Sequence, residues 1–378
     1  MPFRLYNLHL PLSLLGILQS SAMAGALLIE FPTGIMINGR GRKSVAIYGI
    51  IILGIDLILI SLSDTLVELV AGIFLFAIGY NMISAPVRLL LYEESDAKKK
   101  GRTSSLNLVA VSAGGILGLT FSAALNLTYL PTLYIGLSAV ILIIGIIIKF
   151  SLKGQKHLAL ESPQWTGFRQ SLKGVLSQMS VLKRIMRKDG FLRQYIVIQV
   201  LLSLCWGSSL VFLPAFALEL GLNTARTFLL FAGTEISTVA SALTGGYLAD
   251  RFPKYLFFVF RPLSVLIPFL VLAASDSILA LVVGVISVET AYFFAPGNRV
   301  FVYDQYGDQE RAMASSSVMF ITHVIGVVSP LLGFLLWEIS PRTLFTTDVF
   351  VSLLAFLISL LVVKKIFKLT TVSDLSSG

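Results

Sequence analysis

Eleven apolar stretches, each roughly 20 residues or more, occupy most of this chain and leave few folds open to it. They run at about 12–36, 44–63, 66–92, 104–126, 129–150, 191–217, 225–249, 255–274, 277–303, 312–337 and 343–366. A helix needs about 20 apolar residues to cross a bilayer, where no water satisfies an open backbone. The expected class is therefore an all-α membrane protein. Composition agrees, with 56% hydrophobic and only 13% charged residues, where a soluble domain carries about a quarter. Mean hydropathy is +0.87.

Several function classes drop out at once. Cys205 is the single cysteine, so neither an internal disulfide nor a multi-cysteine metal site is available. His9, His157 and His323 are too scattered for a metal cluster. The net charge of +9 would point to nucleic acid in a soluble protein, but no basic module stands apart from the spans. No Ser/His/Asp set, HExxH or phosphate-binding loop occurs, which argues against an enzyme and against ATP-driven transport by this chain alone. No cofactor, catalytic residue or metal is expected.

Lysine and arginine set the orientation. One set of loops holds Arg40, Arg42 and Lys43, then Lys98, Lys99, Lys100 and Arg102, then a basic stretch from Lys149 to Arg193. The same set continues with Arg251, Lys254, Arg311, Lys364, Lys365 and Lys368. The opposite set holds Arg4, Arg226 and Arg342. The first set is expected on the cytoplasmic side of the cell membrane, with the C-terminus there too.

The spans also repeat. Gly34-Ile-Met-Ile-Asn38-Gly-Arg40-Gly-Arg42-Lys43 and Gly246-Tyr-Leu-Ala-Asp250-Arg251-Phe-Pro-Lys254 share an offset of 212, as do Gly114 and Gly326. Arg88 with Arg299, Tyr92 with Tyr303 and Glu93 with Asp304 keep an offset of 211. Two homologous membrane halves are the architecture of secondary transporters. The ruler places the partner of span 191–217 before Met1. Twelve helices are thus expected with the opening one absent, leaving five plus six in two pseudo-symmetric bundles. A misplaced start codon and a true eleven-helix variant both explain this. Residues 1–11 would be an external loop, and the first 25 or so residues lack a signal-peptide cleavage site.

Gly-x-x-x-Asp-Arg-x-Gly-Arg-Lys between the second and third helices is the signature of the major facilitator superfamily, and both loop copies resemble it. The likeness covers nearly the whole chain, whose spans correspond to that family's second to twelfth helices. Asn38 and Gly39 depart from the signature, standing where the family has an acid and a base. Gly72 stands where proton-coupled exporters carry arginine, and Gly114-Gly115-Ile-Leu-Gly118 lacks the exporter proline, although Gly326-x-x-x-Pro330-x-x-Gly333 has one.

The resemblance implies a gating motif of Gly34, Asn38, Arg42, Lys43, Gly246, Asp250, Arg251 and Lys254. Gly34 and Gly246 would let backbones approach closely, and Asp250 would sit by a helix N-terminus. Arg42 would pair with Glu93 or Glu94, and Lys254 with Asp304. Asn38 lacks full charge, so the first-half latch should be weaker. Arg88 and Tyr92, like Arg299 and Tyr303, are i and i+4 on one helix face. They either gate or let arginine snorkel to the interface.

Ionisable groups at mid-membrane cost roughly 2.5–3.5 kcal/mol and ask for a reason. Glu235, Glu289 and His323 lie near the midplane of their spans. They are candidates for proton coupling, since a buried carboxyl can exchange a proton near neutral pH and histidine titrates there unaided. A glutamate–histidine pair that merely joins helices is the alternative. Asp56 and Asp348 lie closer to the external end, on helices that the family places outside the cavity. Packing or interfacial placement is expected for both, and snorkelling for Arg261.

Cavity candidates are Asn81, Gln199, Cys205, Trp206, Tyr292, Phe293 and Asn298. So aromatic a wall favours an apolar or amphipathic small molecule over a sugar. Between the bundles (1–150 and 191–366), the linker 151–190 carries Phe168, Leu172, Val175, Met179, Leu182 and Met186 at helical spacing among basic residues. This reads as a helix lying on the anionic leaflet. Residues 367–378 form a short cytoplasmic tail, and Asn126-Leu-Thr128 is a sequon in too short a loop for use. The function expected is alternating-access transport of a small molecule, proton-coupled, by a monomer in the lipid bilayer, with export of amphipathic compounds as one form. A non-transporting sensor or decayed relative is the alternative.

Overall fold

A computed structural model describes residues 5, 11–94, 100–124, 130–151, 190–303, 305 and 308–376. All regular structure among them is helical. The first five helices are α1 (Leu15–Arg40), α2 (Arg42–Leu62), α3 (Leu66–Glu94), α4 (Lys100–Ala124) and α5 (Leu130–Ser151). Then come α6 (Gly190–Ser209), α7 (Leu213–Glu219), α8 (Thr224–Ala249), α9 (Lys254–Phe260) and α10 (Leu263–Ala274). The last are α11 (Ile278–Val288), α12 (Ala291–Tyr303), α13 (Asp308–Ile339) and α14 (Pro341–Ser376). Among the described residues, ten stretches are long and apolar enough to cross a membrane, and Val109–Ala124 of α4 is a shorter apolar one. The chain is a multi-pass membrane protein.

Local chemistry sets the helix ends. The loop expected between the first two spans shrinks to Gly41, whose φ of 81° suits glycine and turns α1 directly into α2. Thr65 and Glu68 form a capping box at the start of α3. The Glu68 carboxylate accepts the N–H groups of Asp64 and Thr65, while the Thr65 hydroxyl accepts that of Glu68. Asn223 caps α8 through the Arg226 N–H, and Ser277 caps α11 through that of Ala280.

Three expected spans are not continuous helices. The 191–217 span passes through a tight 3-10 turn, Leu210–Phe212, between α6 and α7. The 255–274 span is interrupted at Arg261-Pro262, where proline has no N–H to continue the ladder. The 277–303 span breaks at Glu289-Thr290. There the Thr290 hydroxyl bonds back to the Ser287 carbonyl at 2.6 Å, and the backbone tightens to i→i+3 bonds.

The chain divides into two compact units. One comprises Phe3–Leu108 and Leu125–Val181, the other Val109–Ala124 and Leu182–Gly378. The latter part of α4 therefore groups with the second unit. In the first unit α3 packs on α1 and α2, and α5 packs on α2. Ile37, Val45 and Met82 are buried at its core. Two hydroxyls add cross-links, Ser21 to the Val70 carbonyl (2.9 Å) and Ser138 to the Gly54 carbonyl (2.7 Å). In the second unit α6 packs on α13 and α14, α8 on α11 and α12, and α10 on α11 and α14. Large apolar side chains such as Ile143, Ile146 and Leu357 point outward, as lipid as solvent allows.

Candidate functional site

Glu289 occupies the break between α11 and α12, eleven residues from Ile278, or about 16 Å along the span. The helix there departs from its regular ladder, and interrupted helices at mid-membrane are where transporters place ligand and ion sites. The Glu289 side chain is half-buried, and its Oε2 accepts a hydrogen bond from the Thr238 hydroxyl at 2.8 Å. One turn earlier on α8 stands Glu235, also half-buried. The 3.6-residue period puts Glu235 and Thr238 on one face of α8. Gly115 of α4 leaves room for this pair, since a Cβ there would lie 3.0 Å from the Glu235 carboxyl carbon.

Tyr292 follows Glu289 by three residues and meets the Trp206 ring edge-on, with centroids 6.0 Å apart. Both rings are half-buried. Phe293 stacks on Phe257 at 5.9 Å. The second unit thus brings together two carboxylates, a hydroxyl and an aromatic pair that lie far apart in sequence. Thr238 was missed by sequence reasoning. Its signal was the i+3 spacing from Glu235.

Other candidates fall elsewhere. Asn298, on α12, is 2% exposed with its Nδ2 lacking a hydrogen-bond partner. Gln199 is buried on α6, and its Oε1 accepts from Arg261 at 3.1 Å. Arg261 therefore does not snorkel. The α9–α10 break lets its guanidinium turn inward to the Gln199 amide. Asn81 is half-buried on α3 and donates to the Ala77 carbonyl of its own helix at 2.8 Å. His323 is half-buried on α13. Cys205 is fully buried, and its thiol donates toward the Asp348 carbonyl. Asp348, on α14, is 3% exposed and packs against the end of α6 through Ser208 and Ser209. Asp56 is wholly buried on α2, and neither of its oxygens has a hydrogen-bond partner.

At the loop motif, Asp250 is exposed and ends α8. Arg251 lies over the Tyr247 ring, 4.1 Å from its centroid, a cation–π contact one turn apart. The close approach expected at Gly246 is made by its neighbour. A Cβ on Gly245 would overlap the Phe293 backbone of α12, whereas one on Gly246 would meet nothing within 4 Å. Arg42 and Lys43 begin α2, and Lys254 begins α9. Gly34, Asn38, Arg88, Tyr92, Glu93 and Arg299 lie in helices, but their side chains are outside the described structure. Asp304 and the linker 152–189, including its expected surface helix, lie outside the described residues.

Comparison with known proteins follows the fold. No match was found among curated proteins. Similar solved structures include a variant of the nucleoside transporter NupG (14% identity, TM-score 0.72, covering 96% of this chain and 93% of that one). The human organic anion transporter MFSD10 has 16% identity and a TM-score of 0.66, with 94% and 87% covered. A D-xylose–proton symporter has 17% identity and a TM-score of 0.67, with 91% and 87% covered. At these identities the likeness is one of fold. The family model of the Major Facilitator Superfamily matches residues 1–288 and 229–371. With that match across nearly the whole sequence, on a helical membrane fold shared with transporters, the chain belongs to the major facilitator superfamily.

Proposed function

We propose that this protein is a proton-coupled secondary transporter of a small amphipathic molecule, working by alternating access. One observation carries the reading: Glu289 sits at a mid-membrane helix break, held by Thr238, which stands one turn from Glu235 on α8. A carboxylate held in a medium of low dielectric gives up its charge more readily than one in water. Glu289 takes up a proton from one side and releases it to the other as the halves rock. The Trp206–Tyr292 pair beside Glu289 offers an apolar surface to an amphipathic substrate. Resemblance in fold to a D-xylose–proton symporter is consistent with proton coupling.

In this reading the basic loops lie on the cytoplasmic face of the cell membrane, the protein acts as a monomer, and export is one direction open to it. Gly34, Asn38, Arg42, Lys43, Gly246, Asp250, Arg251 and Lys254 act with Arg88, Glu93, Arg299 and Asp304 as the cytoplasmic gate. Proteoliposomes carrying a small-molecule panel test the proposal. Flux of at least one amphipathic compound should follow an imposed pH gradient, collapse with a protonophore and disappear in Glu289→Gln. Gradient-driven flux undiminished in Glu289→Gln would remove Glu289 from the coupling step.

A further inference from the structure

An aromatic cluster ties α6, α9 and α12 together. Phe191 and Tyr195 of α6 each meet Phe258 of α9 with ring centroids 6.2 Å apart. Phe301 of α12 lies 5.1 Å from Phe258 and 6.3 Å from Phe191. One helical turn beyond these rings, in each helix on the side away from its adjoining basic loop, stands a polar residue. Gln199 follows Tyr195 by four, Arg261 follows Phe258 by three, and Asn298 precedes Phe301 by three. Three helices that meet at the rings therefore bring these side chains to one level. Two of them are joined, Arg261 donating to Gln199 Oε1 at 3.1 Å.

The amides there are short of acceptors. A guanidinium only donates, so the Gln199 oxygen faces Arg261 and its Nε2 is left to find another group. Gln199 is 6% exposed and Asn298 2%. Among the described residues neither Gln199 Nε2 nor Asn298 Nδ2 has a hydrogen-bond partner. Each nitrogen carries two N–H donors, and burying them unmet is costly. Arg261 sets a positive charge beside them, and N–H donors next to a cation bind a negatively charged acceptor more strongly than a neutral one.

We propose that Gln199, Arg261 and Asn298 bind a small monovalent anion, either an inorganic ion or the carboxylate of a carried solute. All three residues belong to the second unit. The amides supply hydrogen bonds and the guanidinium supplies one positive charge, which one negative charge balances. The site shares no residue with the Glu289 cluster and stands whether or not that cluster couples protons.

Thermal unfolding of the purified protein in lipid nanodiscs tests it, with NaCl, sodium acetate or sodium gluconate at equal ionic strength and pH. Chloride or acetate should raise Tm by a few degrees in a saturable way, while gluconate, too bulky for a buried site, should not. A rise with acetate alone assigns the site to a carboxylate, and one with chloride alone to an inorganic ion. Either rise should vanish in Arg261→Met and in the Gln199→Leu/Asn298→Leu double variant, and persist in Glu289→Gln. The same Tm in all three salts overturns the proposal, since water then serves the amides. If Arg261→Met or the double variant does not fold, Asn298→Leu, close in size to the native side chain, decides. An undiminished rise in that variant removes Asn298 from the site and overturns the assignment.

Discussion

Thr238 of α8 and Glu289, at the α11–α12 break, are joined by a hydroxyl-to-carboxylate hydrogen bond of 2.8 Å. Thr238 itself is only 5% exposed, so its hydroxyl has little water to turn to. The bond fixes a carboxylate at the point on its span where the α-helix is interrupted. Stiff β-branched threonine holds that donor in place.

Replacing Thr238 therefore separates packing from hydrogen bonding. Thr238→Val keeps the shape and removes the donor, at a cost of about 1 kcal/mol in stability and with several-fold slower substrate flux. Thr238→Ser keeps the donor and should retain most of both. Thermal unfolding and proteoliposome flux, measured on the same preparations, check the pair. Equal flux in Val and wild type would show that the bond has no part in transport.

Gly245 and Gly246 differ sharply despite being neighbours. Gly245→Ala drives a Cβ into the Phe293 backbone of α12 and should lower Tm markedly, by the roughly 1–3 kcal/mol typical of overpacking. Gly246→Ala meets open space and should unfold like wild type. Unfolding curves in detergent distinguish them.

Arg261→Met leaves the buried Gln199 Oε1 without the donor it now uses. A loss of about 1–3 kcal/mol follows from an unsatisfied buried group. Adding Gln199→Leu should recover part of it, which a double-mutant cycle measures.

Orientation is open to labelling without removing the native thiol. Cys205 is fully buried, so membrane-impermeant maleimide should leave the wild type unmodified. Single cysteines at Lys43 and Lys254 should label from one face of the membrane, and one at Arg226 from the other. Labelling of Lys43→Cys and Lys254→Cys from opposite faces would undo the duplication.

Part of the site was legible early. Glu235 and Glu289 stood out because an acid amid apolar neighbours is costly in lipid, and the structure joins Glu289 to Thr238, one turn from Glu235. Asp348 stood out for the same reason, yet nothing near it in sequence hinted at Ser208 and Ser209, some 140 residues away. Serine is unremarkable in a helix until a carboxylate faces it. Arg261 misled for a related reason. A long cationic side chain near a span end reads as snorkelling unless a buried acceptor such as Gln199 is known to await it.

Sequence alone determined that this chain spans a membrane as helices, in two related halves of one superfamily, because lipid forbids unsatisfied backbone and duplication leaves its spacing behind. Tertiary structure alone decided where those helices break, which glycine makes the close approach and which hydroxyls meet the buried acids. Such choices depend on contacts between distant segments, and hydrophobic periodicity is blind to polar groups that meet only after the chain has packed.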